Sequence, residues 1–227
     1  KDAHAKSQGN LLLARLFGAE VHLTEPGEQG QVVAAKLAEL KTAGHKPFHT
    51  STDARVFRAV AYVDGALELL AQCAERGIEP DAIYLCSGAY THVGLVVALK
   101  SLGIDWRVVG ISPSPRDDGE AAKGHAELGR ECAEVLGLDL ALEPEDFESY
   151  AEFVGPGYGV VTEESCAALK LVAQQEGLLL DPSYTSKAMA GLLAHVRTGW
   201  WQSGQTLIFL HTGGTPALFA YAEDLGY

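Results

Sequence analysis

Short runs rich in apolar residues alternate along the chain with longer stretches in which apolar residues recur every third or fourth position. The apolar runs at residues 20–24, 82–86, 107–112 and 206–210 have the length and character of strands buried on both faces. Between them, residues 30–43 place Val32, Val33, Ala35, Leu37 and Leu40 on one helical face, and residues 54–76 do the same with Val56, Val60, Val63, Leu67 and Leu70. Such stripes are packing faces. Pro113 and Pro115 end the strand before them, and the acidic residues 117–148 read as helix, loop and helix with charged outer faces. Alternating strand and helix patterns predict an α/β fold, a helix-flanked and mostly parallel sheet with residues 82–86, 107–112 and 206–210 as inner strands. No internal repeat or low-complexity linker is present, so a domain boundary must fall in an ordinary loop, and residues 49–53 are the best candidate.

Composition narrows the function classes. Of 227 residues, 47% are hydrophobic and 21% charged, enough apolar material for a sizeable core. The formal net charge of −13 would repel a phosphate backbone, which argues against a nucleic-acid partner. No apolar run approaches the ~20 residues needed to span a bilayer, so no membrane partner is expected. Cys73, Cys86, Cys132 and Cys166 form no CxxC pair, so they read as reduced, mostly buried thiols rather than a zinc cage or a disulfide framework. The first ten residues, KDAHAKSQGN, lack the apolar core of a signal peptide, and a cytoplasmic protein is expected. The only methionine is Met189, so the chain reads as cut or processed at its start.

Four segments carry candidate chemistry. In YLCSGAYTHVGL (84–95) an apolar run passes through small residues straight into a helical pattern, which would aim consecutive backbone N–H groups and the positive helix end at one spot. Ser87 and Thr91 add hydroxyl donors, so phosphate is the natural ligand, with a plain strand-to-helix turn as the alternative. In VGPGYG (154–159) the glycines permit close backbone approach, and Tyr158 is the one large side chain; the alternative is a surface turn. In LDPSYTSKAMAG (180–191) Pro182 ends an extended run, and Ser183 or Thr185 can cap the next helix, placing Tyr184 and Thr185 at its N-terminus. IFLHTGGTPALF (208–219) again reads as strand, glycine loop and helix. Ligands of parallel α/β sheets bind at the carboxyl ends of strands, where three of these loops begin.

SGAYTHVGL, VGPGYG, LDPSYTSKAM and FLHTGGTPALFAY, in that order and at these separations, resemble the pyridoxal-phosphate-dependent family of D-cysteine desulfhydrase and 1-aminocyclopropane-1-carboxylate deaminase. The resemblance covers nearly the whole chain and implies the tryptophan synthase β-like fold. It also implies a division into residues 1–52, the remainder of a smaller α/β domain that includes QGNLLLARLFGAEVHL, and residues 53–227, the larger cofactor-binding domain. The loop of Ser87, Gly88, Ala89, Tyr90, Thr91 and His92 would hold the cofactor phosphate, with Tyr90 narrowing the pocket where relatives carry a small residue. Thr185 and Thr212 match positions near the pyridine nitrogen, and deaminase-like members carry Glu in place of Thr185. A hydroxyl is a weaker support for a protonated ring nitrogen than a carboxylate, which favours elimination over ring opening. Tyr158 and Tyr184 match tyrosines that contact the substrate and serve as acid or base; a phenol with an ordinary pKa near 10 needs a neighbouring positive group for that role.

The family carries its Schiff-base lysine in a GNKxRK-like motif upstream of the segment where this sequence starts, and Lys187 is not its equivalent. HTSTDARVFRAVAYV likewise departs from the family's glycine-rich pattern. The expectation is therefore the larger C-terminal part of an enzyme that uses pyridoxal phosphate to deaminate a small, D-cysteine-like amino acid to a keto acid and ammonia, a homodimer when complete. The competing expectation is a noncatalytic α/β domain that binds an anion or a partner through residues 87–92.

Overall fold

The computed structural model describes residues 7–25 and 27–226. The chain divides into two compact units, one through Arg55 and one from Val56 onward. The first contains α1 (Gly9–Leu16), α2 (Gln29–Thr42) and α3 (Thr50–Asp53). α2 lies within a residue of the expected helix, with Val32, Val33, Leu37 and Leu40 half-buried along it. Residues 20–24, expected as a strand, are irregular and exposed. A strand exists only where a neighbour completes its hydrogen-bond ladder, and no described residue of this unit is in a strand.

The second unit runs α4 (Arg55–Arg76), β1 (Ala82–Cys86), α5 (Tyr90–Ser101), β2 (Arg107–Ile111), α6 (Asp118–Leu136), β3 (Glu148–Tyr150), α7 (Glu163–Glu176), α8 (Thr185–Arg197) and β4 (Leu207–Leu210). The strands form one sheet in the order β3-β2-β1-β4, all parallel, with Tyr84 beside Val109 on one side and Phe209 on the other. β1 is buried along its whole length. Its period of two divides its side chains between the faces: Ile83 and Leu85 join the core built with α4, α5 and α6, whereas Tyr84 and Cys86 join Ile111 and Ala188 beneath α8.

Tyr84 shows how the second face is locked. Its hydroxyl accepts from Trp201 Nε1 at 2.8 Å and donates to His195 Nδ1 at 2.7 Å, so the one polar atom of a fully buried ring is satisfied and α8 is fixed against β1. On the other face, the deepest positions of α4 are Ala59, Ala66 and Cys73, small residues that let the helix approach, while Leu67, expected in its stripe, is 47% exposed. All four cysteines are free, and three of them are buried.

Three further expectations are corrected. β4 is an edge of the described sheet, not an inner strand. The second acidic helix is only a 3₁₀ turn, Pro144–Asp146, after which the chain straightens into the short edge strand β3, which its polar sequence Glu-Ser-Tyr conceals. The last glycine loop opens a 3₁₀ helix, Thr215–Ala220, rather than an α-helix. Because every pairing is parallel, the carboxyl ends of β1, β2 and β4 share one edge, and the loops that follow them open there.

Candidate active site

The loop after β1 is held at its base by the sheet: Ser87 N donates to Ile111 O at 3.0 Å. It then turns through Gly88 and Ala89 into α5, whose N-terminus has no side-chain cap. None of the amides from Gly88 to His92 has an acceptor among the described residues, and Ser87 Oγ is buried without a partner. The other long helices near this edge are closed to a ligand. Asp117 caps α6, Thr162 caps α7, and the Asp181 carboxylate occupies the start of α8. The uncapped end of α5 is thus the one that offers both unspent amides and an orphaned hydroxyl to an anion.

His92 sits on the first turn of α5, but its ring faces away from the loop opening. It is fully buried against Gly110, His125 and Phe147, and burial with His125 and Arg116 nearby lowers its pKa to about 3. His92 is therefore neutral at pH 7 and can serve a ligand at the loop only through its backbone. Tyr90 packs half-buried on the larger core with the Arg58 guanidinium 5.1 Å above its ring, so the bulk expected to narrow the pocket is taken up against α4. Thr91 is half-buried beside them.

The second half of the site gathers on α8. Asp181, fully buried, accepts from the amides of Ser183, Tyr184 and Thr185 at 2.8–2.9 Å and from Thr185 Oγ1 at 2.8 Å. Asp181, not Ser183 or Thr185, is therefore the cap. Thr185 Oγ1 also accepts from Asp181 N, so its single proton is spent on the carboxylate. Gly214, in the left-handed region at φ +94°, lets the last loop pass against this carboxylate; a Cβ there would stand 2.6 Å from Asp181 Cγ. Thr212, in the same loop, is exposed.

Tyr158 and Tyr184 meet hydroxyl to hydroxyl, with their rings edge to face at 5.7 Å. The loop that carries Tyr158 is tied to α8 by Lys187, whose fully buried Nζ donates to Val154 O at 2.7 Å and Gly157 O at 3.1 Å. Burial raises the Tyr184 pKa, and its hydrogen bond to Tyr158 adds to the shift, so the phenol stays protonated. Burial also pushes the Cys86 thiol up to about 12, which leaves it inert at the end of β1.

The profile of the pyridoxal-phosphate-dependent enzyme family matches residues 3–213. The chain belongs to that family. The chain is 37% identical to a D-cysteine desulfhydrase of Klebsiella pneumoniae (strain 342) over 96% of its own length, and 33% identical to a 1-aminocyclopropane-1-carboxylate deaminase of Methylobacterium sp. (strain 4-46) over 98%. The chain spans about two thirds of these relatives, 66% and 67% of their lengths. Among solved structures, an ACC deaminase homologue superposes with a TM-score of 0.83 at 30% identity, covering 97% of this chain and 66% of the other. An O-ureido-L-serine synthase, at a TM-score of 0.59 and 18% identity, shares the fold alone. The architecture is the tryptophan synthase β-like one that the motifs imply. No helix of the described residues is long and apolar enough to cross a membrane.

The residues at the end of β1 fit the phosphate of this family's cofactor, because an uncapped helix start and the orphaned Ser87 Oγ are the donors a phosphate needs. Two contributors escaped the sequence reading. Asp181 had a local signal, since Asp in an Asp-Pro-Ser turn bonds to amides two and three residues on. Arg116 had none: its guanidinium reaches Gly88 O from 28 positions away.

Proposed function

We propose that this chain forms the cofactor-binding part of a pyridoxal-phosphate enzyme that deaminates a small, D-cysteine-like amino acid with loss of its β substituent, giving a keto acid and ammonia. The observation that carries the reading is the open end of α5, the uncapped start that combines free amides with the buried, unpartnered Ser87 hydroxyl. The amides of Gly88, Ala89, Tyr90, Thr91 and His92, together with Ser87 Oγ, hold the phosphate. When bound, pyridoxal phosphate supplies the electron sink that stabilises charge at the substrate α-carbon.

The chain's own groups do the rest. Tyr184, kept protonated by burial, and the exposed Tyr158 share one hydrogen bond, hydroxyl to hydroxyl, and the pair relays a proton to or from a bound substrate. The Asp181 carboxylate, fixed by three amides, holds Thr185 so that its hydroxyl offers a lone pair, not a proton, to a ring nitrogen. We assign Thr212, exposed two residues before the Gly214 that packs on Asp181, as the second hydroxyl for that nitrogen.

Keto-acid release by the full-length protein from D-cysteine and β-chloro-D-alanine tests the proposal. Tyr184→Phe should lower kcat by about 10²–10⁴-fold as a proton-transfer group is lost, whereas Thr185→Ala, which removes one hydrogen bond at the ring besides the two it makes to Asp181, should cost kcat about tenfold or less. Equal, mild losses would make Tyr184 a packing residue, and absence of keto acid from both substrates would overturn the reaction.

A further inference from the structure

The loop after β1 is gripped from behind by groups that the reaction itself does not use. Arg116, half-buried in the turn after β2, donates from Nη1 to Gly88 O at 2.9 Å and from Nη2 to Ser87 O at 3.3 Å. The same Nη2 donates to Ser149 Oγ at 2.6 Å, in the middle of β3. From α6, the buried His125 places Nε2 3.3 Å from Gly88 O. Two consecutive carbonyls of the loop are thus held on one side by a guanidinium fork and an imidazole.

A trans peptide is planar, with its C=O and N–H pointing in opposite directions. Fixing the carbonyls of Ser87 and Gly88 toward Arg116 therefore turns the amides of Gly88 and Ala89 the other way, and these amides have no acceptor among the described residues. The terminal nitrogens of Arg116 that reach the loop are spent on carbonyls, so the side chain serves a ligand through the loop rather than by touching it. The anchor of the guanidinium, Ser149, is the central residue of the three-residue edge strand β3.

We propose that Arg116, anchored on Ser149 and assisted by His125, is the positioning residue of the phosphate site, locking the Ser87 and Gly88 carbonyls so that the loop amides face the cofactor phosphate. The inference rests on the phosphate reading given above, and the test separates the two. The chain of residues 1–227 is titrated with pyridoxal phosphate and with pyridoxal, which lacks the phosphate, and urea midpoints are measured alongside. The wild-type chain should prefer pyridoxal phosphate. Arg116→Lys, which keeps the charge but loses the fork, should erode that preference by about tenfold to a hundredfold, the cost of hydrogen bonds to a charged group. Pyridoxal affinity should stay within a few-fold of wild type. Ser149→Ala leaves Arg116 in place with one tether fewer and should move the preference in the same direction by less, which keeps the test open if the lysine variant fails to fold. A wild-type chain with no preference for the phosphorylated probe removes the phosphate site and this proposal with it. A wild-type preference that persists in both variants, or falls only in step with the urea midpoint, overturns the role of Arg116 and leaves the phosphate site standing.

Discussion

Gly110→Ala is the smallest change that should carry a defect from the sheet to the phosphate loop. Gly110 lies in β2 between Leu85 of β1 and Ser149 of β3, and an added Cβ would stand 2.5 Å from His92 Nδ1 and 2.9 Å from Cε1. An ordinary contact needs roughly another ångström, because packed non-bonded atoms sit about 3.5–4.0 Å apart. The imidazole cannot swing aside: it is fully buried, with the His125 ring centroid at 5.3 Å and that of Phe147 at 5.8 Å. Forcing an extra methyl into such a site costs about 1–3 kcal/mol. His92 is the third residue of α5, so its displacement reaches the amides of the loop as well. Urea unfolding followed by tryptophan fluorescence should show that loss, and the preference for pyridoxal phosphate over pyridoxal should fall with it. His92→Ala alone opens a cavity, worth roughly 2–4 kcal/mol by comparison with other large-to-small core changes. Combined with Gly110→Ala, the new methyl enters that space, so the double variant should lose less than the sum of the single losses, by about 1–3 kcal/mol. Strict additivity, or an unchanged midpoint for Gly110→Ala alone, would refute the contact argument.

Two other outcomes follow from the buried polar groups. Tyr84→Phe strips the partner from Trp201 Nε1 and from His195 Nδ1 and should cost about 1–3 kcal/mol by urea denaturation, with α8 the element most loosened in hydrogen exchange. Stability should also fall with acidity: the pKa of His92 drops from an ordinary 6.5 to about 3 on folding, so below pH 6.5 the unfolded chain binds a proton that the folded one refuses. That linkage is worth about 2 kcal/mol between pH ~7 and ~5, with His125, also lowered by burial, adding in the same direction. Urea midpoints across this range should flatten in His92→Leu, and an unchanged slope in that variant would remove His92 as the source.

Features that depend on neighbours along the chain were legible before any tertiary contact was known. β1 was legible because five consecutive residues must be buried on both faces, and α4 because Val56, Val60, Val63 and Leu70 recur at three- and four-residue steps along the face that packs on the core. The loops carrying Ser87, Tyr158, Tyr184 and Thr185 were legible from glycine, proline and hydroxyl patterns that act within a few residues. The strand order, with β4 at the edge, and the existence of β3, three polar residues that are a strand only because β2 lies beside them, come from long-range pairing. For the same reason residues 20–24, apolar enough for a strand, are not one: their ladder has no partner among the described residues. Arg116 on Gly88 and His92 against Gly110 join positions 28 and 18 residues apart through the crossover of parallel strands. No local pattern encodes such contacts, because the chain must close a loop and pack a helix before the groups meet.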